Sequence, residues 1–173
     1  MNNSNAVSFA HELCKKSKGF DVAIDATLGN GHDSLFLSSL FKKIYAFDIQ
    51  KLAIKRSKKR LENSLNVDII LDSYTNFDNY VFEKVDLIIY NLGFLPGSNH
   101  KVITNAKETI ASIKKGIEIL KDNGQIIIVS YTQHDNFKEY NNILDFINEH
   151  RKTINYCLFK NFEFERIIKI TIK

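Results

Sequence analysis

The sequence predicts an α/β domain built on a mostly parallel sheet, and three observations carry that prediction. Short apolar runs rich in β-branched residues alternate with longer amphipathic ones, the pattern of buried strands joined by crossover helices. A turn with two glycines, "TLGNG", follows the first run, where a strand passes into a helix. The length, 173 residues, suits one domain and leaves no room for a second core of useful size.

The elements follow in order. "MNNSNAVSFAHELCKK" is polar and then mildly amphipathic, which predicts a helix over about 6–17 within an N-terminal segment, 1–20, packed on a single domain spanning 1–173. Val22 to Asp25 is a short apolar run closed by an acid and predicts the first strand, with a helix over 33–41 behind it. Ile44 to Phe47 predicts the second strand, the basic amphipathic stretch 51–64 a helix, and Val67 to Leu71 the third strand. Leu87 to Tyr90 is the fourth strand, followed by the chain's single proline, Pro96, which sets a fixed bend after the strand. A helical pattern over 105–121 runs up to Gly124, which reads as its stop before the fifth strand, Ile126 to Ser130. A helix over 136–151 then leads to Tyr156 to Phe159 and Arg166 to Ile172. Only 160–165 separate these last two runs, too few for a crossover helix, so they predict a hairpin and hence one antiparallel strand in the sheet. No linker, repeat or low-complexity block interrupts this order.

Composition narrows the class. Hydrophobic residues at 44% and charged residues at 25% are those of an ordinary globular chain. No apolar run approaches the roughly 20 residues that span a bilayer, and the opening segment lacks the basic-then-apolar order of a secretion signal. A cytoplasmic protein is expected. Cys14 and Cys157 stand far apart, outside any C-x-x-C pair, and are expected to be buried thiols. The histidines, at 11, 32, 100, 134 and 150, never fall at i and i+4, so no metal site is expected. The net charge of +4 permits an anionic partner.

The loop "DATLGNGHDS" carries the first candidate site: Asp25, Thr27, Gly29, Asn30, Gly31 and Asp33. Its glycines allow close backbone approach to a ligand, and Asp33 or Ser34 is placed to cap the next helix. A dinucleotide fingerprint requires a third glycine where Ser34 stands, and it sets a helix N-terminus against a diphosphate. Asp25 would repel that diphosphate and favours a cation instead. Asp48, at the end of the second strand, suits ribose hydroxyls. Asp72, closing the third, can accept from an adenine amino group. Adenosine, positive charge and no phosphate together describe S-adenosylmethionine, and the reaction is then methyl transfer.

The fourth strand ends in "YNLGFLPGSNHK". An amine attacks a methyl carbon in line with the departing sulfur, so its hydrogens must be held by acceptors. Asn91 and a carbonyl of the following turn can supply them, Gly93 permits the turn, and Phe94 offers a face for a flat base or a positive nitrogen. Tyr131 and His134, after the fifth strand, are candidates to accept or shuttle the proton. Lys51, Lys55, Arg56, Lys58, Lys59 and Arg60 share one helix; Lys55, Arg56 and Lys59 are candidate phosphate contacts, and a solvated face is the other reading.

Seven strands ending in a hairpin resemble the sheet of class I methyltransferases. The set "DATLGNGHDSLFL", "YAFDIQKLAI", "YNLGFLPGSNHKVITNAKETIASI" and "IVSYTQHDNFKEY" resembles the YtqB-like rRNA methylase family over residues 22 to about 150. Members of that family are identified as MnmM, the tRNA methyltransferase of the wobble position. The resemblance implies S-adenosylmethionine as cofactor and, as partner, the anticodon stem-loop of tRNA. The product it implies is 5-methylaminomethyl-(2-thio)uridine at position 34, made from the 5-aminomethyl nucleoside. It also implies a cofactor site at Asn30, Asp33, Asp48 and Gln50, with Asp72, Ser73 and Tyr74 beside the adenine. The substrate side would hold Asn91, Leu92, Gly93, Phe94, Pro96, Thr104, Tyr131 and His134. The chain departs from the family where histidine usually stands at Tyr74 and glycine at Gln133 and Phe137. It also reads "NFEFERIIKI" for an N-Q-x-N-x-P-P ending. Methylation of another exocyclic amine, such as adenine N6 in rRNA or DNA, a catalytically silent nucleotide-binding module, and a homodimer all stay open.

Overall fold

A computed structural model describes residues 5–93, 95, 97, 104–133 and 135–173. The elements run α1 (Ala6–Cys14), β1 (Val22–Asp25), α2 (His32–Ser38), β2 (Lys43–Asp48), α3 (Lys51–Arg60), β3 (Val67–Leu71), a 3₁₀ turn (Tyr74–Asn79), β4 (Val85–Leu92), α4 (Ala106–Ile119), β5 (Leu120–Tyr131), α5 (Lys138–Glu149), β6 (Ile154–Phe159) and β7 (Glu165–Ile172). One sheet holds all seven strands in the order β3-β2-β1-β4-β5-β7-β6. Pairing is parallel from β3 through β5, whereas β7 runs antiparallel to both β5 and β6. The expected hairpin and its inserted antiparallel strand are therefore present.

Alternation along the central strands splits the core into two layers. Ile24, Phe47, Ile88, Tyr90, Ile126 and Ile128 face α4, α5 and Phe77 of the 3₁₀ turn. Ala23, Ile44, Ala46, Leu87, Ile89, Ile127 and Val129 face α1, α2 and Leu61 beyond α3. Because β1, β4 and β5 are covered on both sides, they read as continuous apolar runs. The order of strands reverses between β1 and β4, which opens a crevice at their carboxyl ends. Among the described residues no helix is long and apolar enough to cross a membrane.

Three expectations need correction. Gly124 does not stop α4, because Leu120 already turns extended at φ −61°, ψ 143°. Gly124 lies within β5, where an added Cβ would come 3.0 Å from the Val85 carbonyl. The β4–β5 register shifts beside it, between Val85 and Leu87. Neither Asp33 nor Ser34 caps α2; Gly31 is the N-cap, without a side-chain hydrogen bond. Cys14 is buried but Cys157 is exposed on edge strand β6, and both are free thiols. The 3₁₀ turn was missed because "YTNFDN" offers too short an apolar pattern to show a helical period.

Candidate active site

The carboxyl ends of β1, β2 and β4, with the first turn of α2, bring three aspartates together with one asparagine. Asp25 closes β1 and is fully buried. Its carboxylate accepts from the Ser34 hydroxyl at 2.6 Å and the Thr27 N–H at 3.1 Å. Burial first, and the nearby Asp33 charge second, push its pKa well above the usual carboxylate range. The sequence turns sharply after Thr27: Gly29 has φ 51° and Gly31 φ 78°. At Gly31 a Cβ would come 3.0 Å from Ser57 Cβ on α3, so the close approach of loop and helix requires glycine.

Asp48, at the end of β2, accepts from the Gly29 N–H at 3.0 Å and the Gln50 N–H at 2.8 Å. It therefore fixes the glycine loop while each oxygen keeps a further lone pair for a ligand hydroxyl. Burial raises its pKa, opposed by those N–H donors. Gln50 is the N-cap residue of α3. Asn30 accepts from two arginines of that region, through Oδ1 from Arg56 at 3.3 Å and through its carbonyl from Arg60 at 2.7 Å. Arg56 also donates to the Gly97 carbonyl at 3.1 Å. It thus bridges the glycine loop to the loop after β4, a contact that the reading of Arg56 as a candidate phosphate contact did not include. Lys55 and Lys59 are exposed, as are Lys51 and Lys58.

Asp72 accepts from the Ser73 N–H, Asn76 and the Tyr80 hydroxyl; the Asn76 and Tyr80 bonds are the main reason its pKa is lowered. Ser73 caps the 3₁₀ turn. The Tyr74 hydroxyl is turned to Thr109 of α4 at 3.3 Å, and burial pushes its pKa up to about 12.

Asn91 is the hinge of the site. Its N–H donates to Thr27 Oγ1 at 2.7 Å, and its side-chain Nδ2 donates to Asp33 Oδ2 at 3.0 Å. Its Oδ1 is buried and accepts from no group among the described residues. Leu92 points into the core at 0% exposure. Gly93, at φ 148°, exchanges hydrogen bonds with Thr104: its N–H to Oγ1 at 2.9 Å, and the Thr104 N–H to its carbonyl at 3.0 Å. A Cβ on Gly93 would come 3.6 Å from the Tyr131 ring. Tyr131 stands at the end of β5, and burial raises its pKa to about 12. Phe94, Pro96 and His134 lie outside the described residues.

Two residues escaped the sequence reading. Glu139, buried in α5, accepts from the hydroxyls of Thr104 at 2.9 Å and Thr109 at 2.8 Å, so it anchors the loop after β4. His11 of α1 contacts Asp33 at 2.7 Å. Neither shows a period or motif, since each acts across a distance in sequence that only the fold closes.

The donor set suits a ligand that carries a cation and a ribose. Three carboxylates surround the crevice, and Asp25 has no cationic partner among the described contacts; these carboxylates would repel a diphosphate. Sheet order, glycine loop and acidic strand ends define the fold of the class I S-adenosylmethionine-dependent methyltransferases. The family described as "Putative rRNA methylase" matches residues 44–167, and the chain belongs to it. It is 32% identical over 152 residues to the chloroplastic tRNA (mnm(5)s(2)U34)-methyltransferase of Arabidopsis thaliana, with 78% of this chain and 55% of that protein aligned. It is 27% identical over 152 residues to ribosomal RNA small subunit methyltransferase H of Clostridium botulinum, covering 84% of this chain and 44% of that one. The chain thus spans about half the length of the curated relatives it matches. A Streptococcus mutans "putative methyltransferase" crystallised with S-adenosylhomocysteine superposes with TM-score 0.90 at 32% identity, over 98% of this chain and 99% of that one. A "putative rRNA-methylase" of Clostridium thermocellum superposes at 0.92 and 28%, with full coverage of both.

Proposed function

We propose that this chain is an S-adenosylmethionine-dependent N-methyltransferase of tRNA. Its substrate is the aminomethyl group of 5-aminomethyl-(2-thio)uridine at wobble position 34, and its product is the methylaminomethyl nucleoside. The observation that carries the reading is the buried Asn91 Oδ1, which has no hydrogen-bond partner among the described residues. A buried acceptor without a donor costs about 1 to 3 kcal/mol, and an amine N–H arriving from solvent repays that cost. The likeness to the Arabidopsis tRNA methyltransferase supports a wobble uridine as the nucleoside.

Bound in the crevice, S-adenosylmethionine supplies an electrophilic methyl group on a sulfonium. The chain's own residues do the rest. Asp48 takes the ribose hydroxyls, Asp25 and Asp33 favour the positive charge, and Asn91 Oδ1 holds an amine hydrogen so that the lone pair is aimed. A primary alkyl amine is protonated near neutral pH, with a pKa of about 10.4 by analogy with lysine. Desolvation in the site lowers that value and exposes the lone pair. The exposed lysines of α3 meet RNA phosphates.

The test is mass spectrometry of nucleosides from tRNA lacking the wobble methyl group, after incubation with protein and cofactor. Conversion of the aminomethyl to the methylaminomethyl nucleoside is expected. Asn91→Ala should slow single-turnover transfer by about 10²-fold with S-adenosylhomocysteine affinity unchanged. Methylation of small-subunit rRNA alone would overturn the tRNA reading in favour of the activity named for the Clostridium botulinum relative. No methylation of either RNA would favour a silent nucleotide-binding module.

A further inference from the structure

One contact in the crevice comes from an element that carries no part of the reaction described above. His11, on α1, places Nε2 2.7 Å from Asp33 Oδ1. Its ring lies on Phe36 of α2, with centroids 3.8 Å apart and planes 5° from parallel, so the ring plane is fixed by packing. Asp33 is 6% exposed, and its second oxygen receives the Asn91 carboxamide at 3.0 Å. The chain of contacts ends on Asn91 Oδ1, which has no partner among the described residues.

We propose that His11 and Asp33 are positioning residues for methyl transfer: His11 locks the Asp33 carboxylate, and Asp33 locks the Asn91 carboxamide with its oxygen turned to the incoming amine. The inference rests on the N-methyltransferase reading. Its physical basis is the near-symmetry of a carboxamide, whose two ends differ little in shape and oppositely in hydrogen bonding. Rotated by half a turn, Asn91 would present an NH₂ to the amine and misdirect the lone pair. An ionised carboxylate only accepts, so Asp33 selects the orientation in which Nδ2 faces it and Oδ1, without a partner among the described residues, is left for the amine. A carboxylate with one free oxygen can itself rotate. The donor on His11 takes that oxygen, and the stack on Phe36 holds the donor still. The other titratable groups near this chain are Asp25 and Cys14, whose energetics register the Asp33 charge, and Tyr131, which does so from β5.

The alternative is that the contact only docks α1 on α2. Two substitutions separate the readings in the full chain. His11→Phe keeps a ring on Phe36 and removes the donor, whereas His11→Gln keeps an N–H donor. Two properties are read: single-turnover transfer to aminomethyl-tRNA, and the NMR signals of the Asn91 carboxamide in the S-adenosylhomocysteine complex, assigned by their loss in Asn91→Ala. His11→Phe should lower the turnover rate about tenfold, leave KM for tRNA and cofactor affinity unchanged, and shift the carboxamide signals with faster hydrogen exchange. His11→Gln should restore both. Unaltered carboxamide signals in His11→Phe, or equal loss in both variants at unchanged thermal stability, would overturn the proposal and leave His11 as a docking contact. If the unmodified chain does not methylate aminomethyl-tRNA, the functional reading fails by itself, and the carboxamide signals alone decide the positioning.

Discussion

Asn136 and Phe137 hold positive φ values of 53° and 67°, the left-handed region that L side chains avoid. Phe137 does so as the N-cap of α5, with its ring edge-on to Tyr140 at 6.5 Å and under the Arg166 guanidinium at 5.3 Å. Glycine would enter this conformation without the roughly 1 to 2 kcal/mol that a Cβ costs. The ring contacts offset part of that strain in this chain. Deleting the ring in two ways separates the two effects. Phe137→Ala loses the ring and keeps the strain; Phe137→Gly loses both. Urea unfolding should therefore find Phe137→Gly more stable than Phe137→Ala by about 1 kcal/mol, the reverse of the order expected inside a helix. Equal stability, or alanine above glycine, would mean that the backbone relaxes once the ring is gone.

At the scale of elements, α3 divides its cations between two tasks. Arg56 and Arg60 hold Asn30, and Arg56 also holds the Gly97 carbonyl, while Lys51, Lys55, Lys58 and Lys59 face solvent. Replacing the four lysines by alanine should weaken tRNA binding and flatten its salt dependence, with S-adenosylhomocysteine affinity unchanged. Arg56→Ala should instead lower cofactor affinity, because the glycine loop loses one of its two ties to α3 and its bridge to the Gly97 carbonyl. Calorimetry and a salt series distinguish these outcomes; an unchanged salt slope in the lysine variant would make the helix a solvated face. The basic run itself was plain in the sequence, but its division was not. Guanidinium and ammonium look alike in a charge count, and only the approach of α3 to the loop, set by Gly31 against Ser57, decides which cations are occupied. Strands were legible for a related reason: burial on both faces writes β1, β4 and β5 as apolar runs that need no tertiary knowledge. Gly124 misled because a glycine after a helical pattern means a stop only when no neighbouring strand presses on it.

Across the whole molecule, the crevice gathers residues from the first helix to the fifth strand, and this sets the limit of sequence reading. Asp25, Asp48 and Asn91 were legible because each stands at or one residue before the carboxyl end of a strand, and parallel strands must end at one edge. His11 and Glu139 were not, since each reaches the site from a helix whose docking no local pattern specifies. The acids concentrated there also tie global stability to pH. Asp25 has its folded pKa raised by burial and by Asp33, so the native state binds this proton more tightly than the unfolded chain, whose aspartates titrate near about 3.9. Stability from this group is therefore full below about pH 4 and is lost as pH climbs toward neutrality. Asp21 and Asp72 are shifted the other way, Asp21 to about 2 by Lys121 and Lys42, and would mask the effect in a single profile. Asp25→Asn isolates it, since asparagine still accepts from Ser34 yet never ionises. The stability of the unmodified chain relative to Asp25→Asn should decline between about pH 5 and pH 7, as read from thermal melts across a pH series. A cationic ligand favours the ionised carboxylate, so S-adenosylmethionine should reduce that decline, and NADH should not. Identical slopes for the two proteins would show that Asp25 is ionised throughout, and the upward shift of its pKa by burial and Asp33 would be refuted.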